Sequence, residues 1–138
     1  MTKEHFSIYE LLNEISPRLG MYIGEQTVDK LGCYIWGYKG AMVDAGIQES
    51  PVLDFQKFTR WLRKKYGYPH SAEVAGCEKT ILAVSLGISP EEMDQDMFWL
   101  NFPPHLTNEQ HVESVRLYVS LINEYGKLEN AALPGGQH

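Results

Sequence analysis

The sequence predicts an all-α fold, a single-domain bundle of five or six helices around one core. Three observations support this prediction. Apolar residues recur at helical spacing along most of the chain, helix start and stop signals bracket these stretches, and no alternating run of β-branched residues occurs outside short pieces such as residues 21–23. With 138 residues and 43% hydrophobic content, the chain is long enough to bury a core.

The first two helices are predicted from residues that typically start and stop helices. Residues 7–10, Ser-Ile-Tyr-Glu, have the form of a capping box, and one apolar stripe follows until Pro17 ends the helix. Thr27 is predicted to cap a second helix, which runs to about Ala45 and stops at Gly46.

Glycines inside the second helix need an explanation. Gly37 and Gly40 each cost about 1 kcal/mol of helix propensity relative to alanine. Either close approach of a neighbouring helix or a partner pressing on the backbone would offset this cost. The same helix could pair with its own copy, and its exposed side around Lys39, Asp44 and Glu49 is a secondary candidate for a partner-binding surface.

The third and fourth helices follow the same logic. Asp54 is predicted to cap the third, DFQKFTRWLRKKY, and Gly67 to close it. The fourth is predicted to run without a break from Ser71 to about Leu86 and to end at Gly87. Its inward residues would be Val74, Cys77, Ile81 and Val84.

Two further helices complete the predicted fold. Residues 89–92, Ser-Pro-Glu-Glu, start a fifth helix, PEEMDQDMFWLNF, which stops at a pair of prolines. Thr107 opens a sixth helix that ends at Gly126. The helical domain is predicted to span residues 1–126, followed by a flexible C-terminal tail at residues 127–138. The predicted core includes Leu11, Leu12, Ile15, Ile35, Phe58, Leu62, Ile81, Val115 and Val119.

The charge balance bears on the class of partner. The formal net charge of −6 opposes binding to phosphate backbones, so no nucleic-acid partner is predicted. The basic end of the third helix could be a nucleic-acid patch, but cations at a helix C-terminus also complement the helix dipole. We favour the second interpretation for Arg60, Arg63, Lys64 and Lys65.

Cysteine usage and hydropathy bear on the compartment. Cys33 and Cys77 lie in apolar helical patterns without a metal-type spacing, which favours buried free thiols and a reducing compartment. No stretch approaches the roughly 18 apolar residues of a membrane span. We therefore expect a cytoplasmic protein with no membrane partner.

No catalytic or metal motif is recognised. C-x-x-C, P-loop, G-x-S-x-G and H-E-x-x-H patterns are missing. In the stretch Glu109-x-His111-x-Glu113, the spacing places the side chains on different helix faces, unlike an i, i+4 metal pair. We expect neither a metal nor a cofactor, and no catalytic residue is predicted.

Residues 18–24, RLGMYIG, resemble the RPGMYIG segment of the gyrase B type of ATPase. The resemblance implies a following helix with a catalytic glutamate and a magnesium-binding asparagine, but the next helix here contains neither residue. A nucleotide-binding enzyme is therefore the less favoured function. As a turn, the segment would have Gly20 and Gly24 at its ends, where glycine permits positive φ, and residues Met21, Tyr22 and Ile23 would fill the gap between the first two helices. Arg18 would then bind a helix end or a carboxylate.

A broader pattern covers residues 7–125. The order S-I-Y-E-L-L, R-x-G-M-Y-I-G, F-x(2)-F-x(2)-W-L and S-P-E-E resembles small bacterial proteins that are encoded beside polymorphic toxins and regarded as immunity proteins. The resemblance implies a non-enzymatic inhibitor that binds a cognate protein toxin. The alternative is a small helical regulator or scaffold without a toxin partner.

The densest charge feature is the start of the fifth helix. Glutamates in a first helical turn are favoured by the helix dipole alone, so these residues could simply be a solvated helix start. The charge extends beyond what capping needs, which makes a partner-binding surface the alternative. The candidate partner-binding residues are Glu91, Glu92, Asp94 and Asp96, with Asp44 and Glu49 second.

Overall fold

The computed structural model describes residues 5–50 and 55–132 and is predominantly helical, as the sequence predicts. The first described range contains β1 (His5–Phe6), α1 (Ile8–Ile15), α2 (Leu19–Ile23), α3 (Val28–Asp44) and β2 (Gln48–Glu49). The second contains α4 (Phe58–Tyr66), α5 (His70–Ala75), α6 (Cys77–Ser85), α7 (Pro90–Met93) and α8 (Asn108–Ala132). Short 3-10 helices lie at Ser16–Arg18, Phe55–Lys57 and Phe98–Leu100.

The predicted helix caps are confirmed where the structure describes them. The side-chain oxygens of Ser7, Thr27 and Thr107 each accept the backbone N–H three residues later, at 3.3, 3.1 and 3.2 Å. These bonds satisfy amides that have no partner inside the helix. Three glycines that were predicted to end helices adopt a positive φ, namely Gly46, Gly67 and Gly87. The proposed cap Asp54 lies outside the described residues.

The core forms around α8, which contacts α1, α3, α4 and α6. Every predicted core residue is buried except Val119, which is half-buried. The ring of Phe58 stacks on Phe55 and Tyr118, with centroids 5.2 and 6.3 Å apart. This aromatic column joins α4 to α8.

A pairing that the sequence did not predict links the N-terminus to the end of α3. β1 and β2 are parallel, with His5 opposite Gln48 and Phe6 opposite Glu49. The backbone N–H of Ser50 extends the pairing with a 2.7 Å bond to the carbonyl of Phe6.

The predicted unbroken fourth helix is wrong. Gly76 adopts φ 105° and ψ 163°, which separates α5 from α6. The hydroxyl of Thr80 lies 2.9 Å from the carbonyl of Ala72 and 2.8 Å from that of Gly76, so it can donate to either acceptor near the break. As a result Val74, expected in the core, is 75% exposed.

The predicted fifth helix is also too long. Its start is confirmed, since Ser89 and Glu92 form the capping box, but α7 ends after one turn at Met93. The chain then turns through Met97, which has a left-handed φ of 67°. The Phe98–Leu100 turn follows, and the peptide bond between Phe102 and Pro103 is cis.

The sixth helix does not stop at Gly126. α8 continues to Ala132, so residues 127–132, which we assigned to the flexible tail, are helical. Residues 133–138 lie outside the described part. Gly126 is needed for packing instead, because a Cβ at this position would lie 2.6 Å from Cγ of Tyr9 on α1.

The expectations for α3 need correction at two points. A Cβ added to Gly37 or Gly40 would meet no atom of another element within 4 Å in the described structure, so close helix packing does not explain these glycines. The crowded glycine of this helix is Gly32, where the Glu78 side chain would lie 2.9 Å from an added Cβ. Cys33 is exposed, whereas Cys77 is buried, and both thiols are free.

The segment RLGMYIG fills the gap between helices only in part, through Ile23 and the edge contact of the Tyr22 ring with Tyr34. Residues 19–23 form the short helix α2, which leaves Met21 77% and Tyr22 46% exposed. Gly24 has the predicted positive φ of 72°, whereas Gly20 lies inside α2. Ile23 packs against the core. No helix among the described residues is both long and apolar enough to cross a membrane.

Candidate protein-binding surface

The acidic residues predicted to bind a partner lie on one short stretch, residues 90–100, which we call the acidic segment. It comprises α7, the turn through Met97 and the Phe98–Leu100 turn. Glu92 has a structural role, because its carboxylate accepts the backbone N–H of Ser89 at 3.2 Å. Glu91, Asp94 and Asp96 are exposed, and their carboxylates form no ion pair within the described structure.

The acidic segment is anchored at both ends. At its start, Met93 is 2% exposed and packs into the core. At its end, the indole N–H of Trp99 donates to the hydroxyl of Ser71 at 3.0 Å. The rings of Phe98 and Trp99 also pack against Phe102, with centroids 5.2 and 5.5 Å away. Asp94 and Asp96 lie between these anchors, so the backbone that carries their carboxylates is held on both sides.

Exposed apolar side chains accompany the carboxylates. Met97 is 64% exposed and Leu100 is 74% exposed, and both line a shallow depression of about 420 Å³ together with Asp94, Asp96 and Ser71. Val74, which is exposed on α5, lies one helical turn beyond Ser71. Apolar side chains surrounded by charge are typical of protein-binding surfaces, where the apolar part becomes buried and the charges form the rim.

The backbone of Met97 supports the same interpretation. A non-glycine residue in the left-handed region costs about 1 kcal/mol or more and persists only where the surrounding structure enforces it. Here the buried Met93 and the hydrogen-bonded Trp99 lie on either side of Met97, and the conformation places a long, flexible side chain at the surface. Such strained residues are concentrated at binding and catalytic sites.

Sequence reasoning located the carboxylates of this surface but missed Met97 and Leu100. A continuous helix across residues 90–102 would have distributed the apolar residues around its faces without placing these two together in solvent. The sequence does contain a signal that α7 ends early. Asp residues are dense after the first turn, and aspartate favours caps and turns over helix interiors.

The second predicted group lies on a separate part of the surface, where Glu49 lines a depression of about 530 Å³ with Lys39 and Val43. Glu49 is tied into the fold, since its carboxylate lies 2.8 Å from Nζ of Lys39 and accepts the backbone N–H of Phe55 at 2.9 Å. Asp44 is exposed at the end of α3. Within residues 5–50 and 55–132, no hydrogen bond or ion pair connects either residue to the acidic segment.

The basic end of α4 is largely neutralised. The carboxylate of Glu73 on α5 accepts hydrogen bonds from Arg60 at 3.0 Å and from Arg63 at 3.2 Å. The hydrogen bond from Arg60 and the surrounding positive charge lower the pKa of Glu73. Lys65 pairs with Glu124 on α8 at 2.6 Å. These pairs leave little free positive charge at this end for a phosphate backbone.

Buried polar groups form a small network between α6 and α8. The hydroxyl of Tyr118 donates to the Glu78 carboxylate at 2.7 Å and lies 3.2 Å from Sγ of Cys77. Burial, followed by the charge of Glu78, raises the pKa of the Cys77 thiol well above its usual range. Cys77 is therefore held as a thiol, which is a poor nucleophile. Among the described residues, no group of His, Cys, Asp and Glu is placed to hold a metal ion.

Comparisons with protein-family models, with curated proteins and with solved structures find no match to this chain.

Proposed function

We propose that this protein is a non-enzymatic inhibitor, an immunity protein that binds a cognate bacterial toxin through the acidic segment. The observation that supports the proposal is the combination, on one anchored segment, of carboxylates without an ion-pair partner in the described structure and exposed apolar side chains. The partner surface would be basic at its rim and apolar at its centre. We further propose that the protein acts in the cytoplasm, in keeping with its free thiols.

Two contributions to binding are expected from the acidic segment. Burial of Met97 and Leu100 against an apolar surface would contribute about 25 cal/mol per Å² of area removed from water. The carboxylates of Asp94 and Asp96 would raise the association rate with a basic partner and disfavour acidic ones. A basic nuclease toxin would meet both requirements.

A solvated helix start is the simpler explanation, and it accounts for fewer of the observations. Capping of α7 uses Ser89 and Glu92, and the helix ends at Met93. Asp94 and Asp96 lie beyond that turn, where neither the cap nor the helix N-terminus requires a carboxylate. The exposure of Leu100 also has no explanation in helix capping.

The function can be tested with the protein encoded by the gene immediately upstream of this one. We expect that protein to arrest bacterial growth when expressed alone, and co-expression of this chain to restore growth. A double substitution, Met97→Ser with Leu100→Ser, should reduce the rescue and weaken the complex by about tenfold or more. Because both side chains are exposed, the helical circular dichroism spectrum should not change.

A matched control can be made on other surfaces. Met21 and Leu128 are 77% and 51% exposed, so Met21→Ser with Leu128→Ser removes the same two types of apolar side chain away from the acidic segment. This control should retain full rescue. Equal loss of rescue in both variants would contradict the assignment of the acidic segment.

The two alternative functions give different results. A regulator or scaffold without a toxin predicts that the upstream product leaves growth unaffected. A nucleotide-binding enzyme predicts a saturable rise in melting temperature with ATP and magnesium, because a ligand of the native state stabilises it by mass action. We expect no rise at millimolar ATP.

A further inference from the structure

A groove lies between the RLGMYIG segment and α8. Its volume is about 1100 Å³, and it opens to solvent along one side. One wall comes from residues 16–21 with Gln26, and the other from the middle of α8. The apolar lining consists of Pro17, Leu19, Met21, Val115 and Val119.

The charged groups around this groove are mostly cationic. Arg18, Arg116 and Lys127 line it and are exposed, and none of them has an ion-pair partner within residues 5–50 and 55–128. The acidic residue of the lining, Glu124, is already paired with Lys65 at 2.6 Å. A groove with free positive charge is unexpected in a chain of net charge −6.

We propose that this groove is a docking site for an acidic amphipathic helix of a partner protein. The apolar floor would receive one face of the helix, and Arg18, Arg116 and Lys127 would pair with carboxylates along its edges. An arginine can bind a carboxylate through two parallel hydrogen bonds, which gives such contacts direction as well as charge. The proposal goes beyond the inhibitor function, because it concerns a separate surface of opposite charge.

The shape of the groove favours a helix over a small molecule. Small-molecule pockets usually measure about 300–1,000 Å³ and enclose most of the ligand's surface. This groove, at about 1100 Å³, is larger than that range and is open to solvent. Leu19 and Val119 are half-buried on opposite walls of the groove, so part of their apolar surface is open to a second helix. Met21 is 77% exposed and flexible enough to adapt to different side chains.

The test uses two synthetic amphipathic helices of about 15 residues. Both carry leucines at i, i+3, i+4 and i+7, and the remaining positions are mostly glutamate in one peptide and lysine in the other. Fluorescence anisotropy with the full chain should give saturable binding of the glutamate peptide. The lysine peptide should bind at least about tenfold more weakly.

Charge reversal in the groove gives the decisive comparison. Arg18→Glu with Arg116→Glu should weaken binding of the glutamate peptide by at least about tenfold and strengthen binding of the lysine peptide. The control, Lys30→Glu with Lys64→Glu, changes the net charge equally at exposed positions outside the groove lining and should bind the glutamate peptide as the wild type does. Asp94→Lys with Asp96→Lys should not weaken this binding either, which separates the groove from the acidic segment.

Several results would overturn the proposal. These are no saturable binding of the glutamate peptide, equal binding of the two peptides, or equal losses in the groove variant and its control. Binding of dodecanoate that depends on Arg18 and Arg116, without binding of the glutamate peptide, would identify a site for small amphiphiles instead. Circular dichroism of each variant establishes that the helical fold is retained.

Discussion

At the residue scale, Tyr9 packs on Gly126, and this contact predicts that alanine is tolerated differently at Gly126 and at Gly37. The ring of Tyr9 occupies the space that a side chain at residue 126 would need, so Gly126→Ala would force α1 and α8 apart. Overpacking of this kind costs about 1–3 kcal/mol. We expect the free energy of unfolding in urea to fall by at least about 1 kcal/mol.

Gly37→Ala is the matched control, because Gly37 also lies inside a helix but has nothing within 4 Å of an added Cβ in the described structure. Alanine should stabilise α3 by up to about 1 kcal/mol through its higher helix propensity. Stabilisation by both substitutions would contradict the close contact between Tyr9 and Gly126.

Tyr68 provides a second test, through pH. Its hydroxyl donates to the carbonyl of Ile88 at 3.0 Å, and burial raises the pKa of Tyr68 from 10.0 to about 12. The folded state favours the protonated form, so this contribution to stability is complete below pH 10.0 and is lost as the pH rises to about 12.

The measurement is the free energy of unfolding across that pH range. Tyr68→Phe should lower stability at neutral pH by about 1 kcal/mol, because the carbonyl of Ile88 loses its donor. It should also make the decline between pH 10 and pH 12 shallower than in the wild type. Parallel declines in the two proteins would show that Tyr68 does not contribute to the pH dependence.

At the scale of elements, the sequence predicts helices well where local chemistry determines their ends. Ser7, Thr27 and Thr107 cap as predicted, since a side chain and an amide three residues away suffice to form the bond. The unbroken helix through Gly76 and the helix end at Gly126 were wrong. The chain breaks between α5 and α6 at Gly76, near the hydroxyl of Thr80, and α8 continues through Gly126, where Tyr9, far away in sequence, packs.

Gly76→Ala distinguishes the observed break from the continuous helix predicted for this segment. At φ 105° and ψ 163° the backbone is in a region essentially restricted to glycine, so a substitution there should cost about 1–3 kcal/mol. In an unbroken helix the same change would stabilise by up to about 1 kcal/mol. Urea denaturation gives the sign directly, and a stabilised variant would contradict the break between α5 and α6.

The candidate surface was likewise predicted only in part, because its charges are visible in the sequence and its exposed apolar residues are not. The carboxylates at Glu91, Asp94 and Asp96 were identified because charge density is visible in the sequence. The exposure of Met97 and Leu100 depends on where α7 ends, and the chain beyond that end is held by the hydrogen bond from Trp99 to Ser71 on another helix. A contact between residues distant in sequence has no local signature.

At the scale of the whole molecule, charge is separated between surfaces. Within the described residues, the carboxylates of Glu91, Asp94 and Asp96 in the acidic segment have no ion-pair partner, and the cations of the groove beside α8 have none either. The basic end of α4 is largely paired, through Glu73 and Glu124. The net charge of −6 therefore does not indicate the local charge of either surface. We expect each surface to select a partner of the opposite charge.

The central claim, that the acidic segment binds a basic protein toxin, is tested most directly by the dissociation constant of the complex with the upstream gene product. Asp94→Lys with Asp96→Lys should weaken the complex by about tenfold or more and reduce its salt dependence, while the circular dichroism spectrum stays helical. The control, Glu14→Lys with Glu113→Lys, reverses exposed carboxylates elsewhere and should bind as the wild type does. An unchanged dissociation constant and salt dependence for the Asp94 and Asp96 variant would contradict the claim and leave these carboxylates as a solvated turn.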